Sequence, residues 1–153
     1  YWFWDEAGSL YNMQEYATAH SSFREAYPVL QHNGIFLLNY VKSLYLSGEY
    51  KKALYIMQKA EKYYKDEVFY TTMGDIYKSI GDYQKAEKYY YKAHYLVPHK
   101  FYPLYLLAIL YEKEMKDQQQ ATLMARNILK KDIKVPSPAI EEIRIEMKEL
   151  LEK

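Results

Sequence analysis

The chain has 153 residues, of which half are hydrophobic and 27% charged, with a formal net charge of +1. One core is feasible at that length, and the near-neutral charge argues against a general nucleic-acid binder, whose affinity for phosphates comes mainly from clustered Lys and Arg. The absence of cysteine excludes disulfides and thiol chemistry, and no apolar run approaches the roughly 20 residues needed to cross a membrane.

Taken in chain order, the apolar periodicity predicts helices at about 1–13, 16–30, 35–47, 50–64, 68–80, 83–96, 101–115 and 118–130. The turn within each pair is marked by Gly48-Glu49 and Gly81-Asp82, since glycine tolerates the left-handed backbone that ends a helix. Pro98 stops the sixth helix. A short connector over 131–137 follows, and Ser137-Pro138 reads as an N-cap and first helical position. The last helix, over about 138–152, places Ile140, Ile143, Met147, Leu150 and Leu151 on one stripe, which should cover the end of the stack. At the other end Tyr1-Trp2-Phe3-Trp4 has neither a methionine nor a polar lead. It reads as an excerpt from a longer protein and as a patch for self-association.

These helices repeat. Ala19, Ala53, Ala86 and Ala121 are spaced by 34, 33 and 35 residues, a period that means stacked helical hairpins. Small residues at Gly74, Ala86 and Ala93 let two backbones approach, and Tyr70, Met73 and Tyr77 fill the layer between units. With Tyr90 and Pro98, these residues make the segment 67–100 resemble the tetratricopeptide repeat family, whose pattern is W-x-x-L-G-x-x-Y, A-x-x-x-F and P over about 34 residues. The segment 34–66 keeps Leu37, Tyr40, Leu44, Ala53, Met57 and Ala60 but has Val41 in the glycine slot. The segment from Phe101 gains one residue in its turn before Ala121, Ala125 and Ile128. The expected fold is all-α, a right-handed α-solenoid of four hairpins, about 1–33, 34–66, 67–100 and 101–134, plus a capping helix in a single domain.

The resemblance implies a concave groove lined by the first helix of each unit. Its offsets fall on Tyr1, Trp4, Tyr11 and Asn12, then Leu38, Lys42 and Tyr45, then Thr71, Asp75 and Lys78, then Tyr102, Tyr105, Ile109 and Glu112. Such a groove is aromatic at both ends and polar in its middle, and the partner it implies is a protein or peptide. Members that grip chaperone tails use Lys and Asn at two of these offsets. Here those slots hold Trp4 and Gly8, or Leu38 and Lys42, which argues against that ligand class. Tyrosine, at 20 residues, admits two accounts beyond the repeat slots. It suits a recognition surface or sugar stacking, or it is half-buried filler, because Tyr63, Tyr64, Tyr89, Tyr91 and Tyr95 fall on second helices.

No catalytic constellation appears. His20, His32, His94 and His99 are scattered without metal spacing, Glu141 and Glu142 point in different directions, and no nucleophile motif surrounds the serines. The segment is expected to be no enzyme and to use no cofactor or metal. A further resemblance, carried by Tyr70-Thr71-Thr72-Met73-Gly74-Asp75, by Tyr102-Pro103-Leu104-Tyr105 and by Val135-Pro136-Ser137 before Glu141-Glu142-Ile143, is to the C-terminal region of bacterial O-antigen ligase or polymerase-like membrane proteins. It implies an appendage tethered at a bacterial inner membrane, touching glycan or the parent membrane domain, with the chemistry lying upstream.

Overall fold

Five of the described helix starts are fixed by side chains that satisfy otherwise unpaired amides. The computed structural model describes residues 20–153, so the helix expected over 1–13, the start of the next and the aromatic end at Tyr1 to Trp4 lie outside the described residues. The described helices are α1 (His20–Leu30), α2 (Gly34–Leu46), α3 (Tyr50–Ala60), α4 (Glu67–Ser79), α5 (Tyr83–Leu96), α6 (Tyr102–Ile109), α7 (Gln118–Lys130) and α8 (Pro138–Glu152), with a π-helical segment, Leu110–Glu114, continuing α6. There is no strand among the described residues. Asn33, Asp66, Asp82, Asp117 and Ser137 each accept a hydrogen bond from the amide three residues on, at 2.8 to 3.2 Å. Each such cap is worth about 1 kcal/mol.

Consecutive helices pack as antiparallel-type hairpins, α2 on α3, α4 on α5 and α6 on α7, and each hairpin packs on the next. The chain is an α-solenoid of tetratricopeptide-like hairpins. Ala53, Met57 and Ala60 on α3, Ala86, Tyr90 and Ala93 on α5, and Ala121, Ala125 and Ile128 on α7 are all buried at 1% exposure or less. They turn toward the first helices, where Leu37, Val41, Met73, Leu107 and Ala108 are equally buried. Gly74 shows why its slot is small. A Cβ there would lie 2.4 Å from Cε1 of Tyr90, so the Tyr90 ring occupies the space a side chain would need. Helix α6, apolar on nearly all sides, is buried accordingly against α5, α7 and its own π-helical continuation.

Three details differ from expectation. The fourth unit's extra residue sits in its first helix rather than in the turn. Leu110 accepts from the amide of Met115 at 2.9 Å and Tyr111 from that of Asp117 at 2.8 Å, whereas the corresponding closing bonds run from Glu49 to Leu44 and from Asp82 to Tyr77, one residue shorter. The insertion widens one helical turn, as π-bulges do. Lys116, with φ of 55°, then takes the left-handed position held by Gly48 (82°) and Gly81 (87°) elsewhere. Second, α3 ends at Ala60, four residues early, because Tyr64 swings back to lay its ring over Gly34, where a Cβ would meet it at 2.7 Å. Tyr63 therefore lies in the turn and Tyr64 in the connector to α4. Third, the cap α8 buries Ile143, Met147 and Leu150, while Leu151 stands 36% exposed at the edge of the stripe.

Candidate binding groove

The candidate face is that of α2, α4 and α6, and the residues expected to project from it follow from helical spacing. On α2, Leu38, Lys42 and Tyr45 are all half-buried. Burial lowers the Lys42 pKa, and the Asp66 carboxylate opposes that shift. The Tyr45 ring leans on Tyr50, with ring centres 5.5 Å apart, and its hydroxyl lies 3.1 Å from the Ser79 hydroxyl of α4. Burial holds the Tyr45 hydroxyl above its usual pKa, with the Ser79 contact pulling the other way. This contact ties two neighbouring first helices together across the face.

On α4 the three candidate positions behave differently. Thr71 is only 6% exposed, and its hydroxyl donates to the Val68 carbonyl of its own helix at 3.1 Å. Asp75 is half-buried and receives the Tyr90 hydroxyl at 2.5 Å. Burial raises the Asp75 pKa from its ordinary value, outweighing the Tyr90 hydrogen bond and the nearby Lys78 charge, both of which lower it. The geometry explains Gly74 a second time. Tyr90 starts on α5, passes over the bare backbone of Gly74 and delivers its hydroxyl to Asp75, so a residue of the second helix holds a carboxylate of the first. Lys78, half-buried, stands one turn further along.

On α6, Tyr102 and Tyr105 stack with ring centres 6.3 Å apart, and Tyr105 donates to Glu146 of α8 at 2.9 Å. Burial, reinforced by that carboxylate, raises the Tyr105 pKa. Ile109 is half-buried, and Glu112, in the π-helical segment, accepts from Lys153 at 2.6 Å. The cap thus closes this end of the face with two polar ties. Tyr1, Trp4, Tyr11 and Asn12 lie outside the described residues.

The structure brings Tyr45, Asp75 and Lys78 together around Ser79, and separately Tyr102, Tyr105 and Glu112 beside the cap. Sequence reasoning missed Ser79, Tyr90, Glu146 and Lys153. Only Tyr90 had a signal: a large residue in the second helix opposite a glycine in the first. Of the tyrosines on second helices, Tyr89 stacks between Tyr70 and Tyr77, with ring centres 6.1 and 5.5 Å away. Among the described residues no three His, Asp or Glu side chains are placed to hold a metal ion, and no helix is long and apolar enough to cross a membrane.

Stacked helical hairpins with small residues at their crossings define a helical-repeat protein. The family of YpiA-like, C-terminal tetratricopeptide repeats matches residues 1–66, which supports a tetratricopeptide-type family and, with it, a protein-interaction scaffold. Such repeats are generally noncatalytic. No curated protein matches the chain.

Proposed function

We propose that the chain is a noncatalytic scaffold that receives an extended peptide along the face of α2, α4 and α6. The observation that carries this reading is the Tyr90–Asp75 bond through the Gly74 gap, because it fixes a polar groove group before any ligand arrives. Ordering a side chain in advance lowers the entropy cost of binding. Lys42 and Lys78 suit an acidic side chain of the peptide, and the Tyr102–Tyr105 pair suits an apolar one.

The test is a selection of peptides from a random library on the full chain, followed by affinity measurements on variants. Lys78→Glu and Tyr102→Ala should each weaken the selected peptides at least tenfold, with helical circular dichroism unchanged. Lys88→Gln, on the opposite face, should not. Equal affinity for all three variants would remove the groove from consideration. The appendage reading, an O-antigen ligase-like parent, rests on the short sequence phrases alone, and normal surface polymer from a parent lacking this segment would exclude it.

A further inference from the structure

The net charge of +1 conceals a concentration of cations on one face. On the side of α3, α5 and α7 opposite their buried alanines, each helix presents two exposed cations: Lys51 and Lys59, Lys85 and Lys88, Arg126 and Lys130. Helices α3 and α7 contain no acidic residue, and the single one of α5, Glu87, is half-buried and takes the hydroxyl of Tyr111. Glu61, just past the end of α3, lies 3.9 Å from Lys92 of α5. Lys85 is paired with Asp82 at 3.8 Å, so the excess of positive charge on this face is carried mainly by Lys51, Lys59, Lys88, Arg126 and Lys130. At physiological salt the screening length is about 8 Å.

We infer that the face formed by α3, α5 and α7 is a docking surface for an anionic lipid bilayer. Its cations are nearly all lysines, compact point charges suited to a diffuse array of phosphates. Exposed apolar and amphipathic side chains lie among them, Tyr55 at 55%, Tyr95 at 70% and Leu123 at 48% exposure, and residues of this kind settle at the headgroup level of a membrane. The main competing polyanion, single-stranded nucleic acid, binds by stacking bases on open aromatic faces. Here Lys59 already sits over the Tyr55 ring, 4.6 Å from its centre, and Tyr95 is stacked on Tyr91 with ring centres 5.8 Å apart. This surface lies opposite the groove and stands or falls apart from it.

The experiment is co-sedimentation of the full chain with vesicles of phosphatidylcholine alone and of equal parts phosphatidylcholine and phosphatidylglycerol. Binding to the anionic vesicles only, falling as salt is raised, is expected. The exposed-site variant Lys59→Gln/Lys88→Gln/Lys130→Gln should lose affinity on the order of a hundredfold, at about tenfold or less per lysine, while Lys78→Glu in the groove binds vesicles as the wild type does. No binding to anionic vesicles, equal binding to neutral ones, or undiminished binding by the folded triple variant would overturn the inference. So would displacement of the bound vesicles by single-stranded RNA at equal phosphate concentration. The salt and neutral-vesicle arms use the wild type alone and decide the matter even if the triple variant fails to fold.

Discussion

The hairpins α4–α5 and α6–α7 carry the same pattern of slots and resolve it differently. In the first, Gly74 is bare and Tyr90 fills the space. In the second, the matching positions are Ala108 and Ala125, both fully buried. The crossing hydroxyl comes instead from Tyr111 at the π-helical turn, which donates to Glu87 back on α5. Both hairpins send a tyrosine hydroxyl to a carboxylate of a neighbouring helix, from opposite directions. The pattern therefore prescribes volumes in facing pairs rather than residues one at a time, as close packing requires. An inserted residue is tolerated where the widened turn finds a polar anchor.

The sharpest way to break the first solution is Gly74→Leu. Tyr90 is fully buried and its hydroxyl is held by Asp75, so its ring cannot withdraw without giving up that bond. Overpacking of this kind costs about 3 kcal/mol, read as a lowered urea midpoint. Replacing Tyr90 by Leu in the same chain should recover part of the loss, because it reopens the space. An unchanged midpoint for Gly74→Leu alone would mean that the two helices do not meet at this register.

The turns give a second, smaller contrast. Gly81 and Lys116 occupy the same left-handed position, and nothing lies within 4 Å of where a Gly81 side chain would start. Backbone preference alone then separates them, since a left-handed conformation costs a residue other than glycine about 1 to 2 kcal/mol. Gly81→Lys should destabilise by about 1 kcal/mol, and Lys116→Gly should stabilise by a similar amount. Thermal melts of the two variants should shift in opposite directions. A shared direction would show that the left-handed turn at Lys116 is absent in solution.

Much of this was legible because small residues and caps act locally. Gly74, Ala86 and Ala93 mark the crossing by size, and Ser137-Pro138 marks a helix start through its own hydroxyl and ring. The position of the fourth unit's extra residue was not legible. Spacing between Ala86 and Ala121 counts the insertion but does not say whether helix or turn absorbs it, and only the ladder from Met115 to Leu110 places it. The helices that carry the expected groove residues were legible, but not the contacts those residues make. Thr71 is spent on Val68 within its own turn. Glu146 and Lys153 reach α6 and its π-helical turn from 41 residues away, a distance over which periodicity carries no information.

The smallest expected effect tests what Tyr90 does for Asp75, the feature that sets the first hairpin apart from the second. Asp75→Asn keeps an acceptor for the tyrosine hydroxyl and removes a charge that burial disfavours. The folded-state pKa is raised, so the unfolded chain releases this proton first. The wild-type contribution from Asp75 is therefore fully present below the ordinary value of 3.8, declines as pH rises through the folded value, and is flat above it. The asparagine has no such dependence. The difference between the two urea midpoints should favour the variant at about pH 7 and shrink toward about pH 4. A variant less stable than the wild type at neutral pH would mean that the ionised Asp75–Tyr90 pair contributes more than its burial costs. In that case Gly74 was kept small for the carboxylate and not only for the ring.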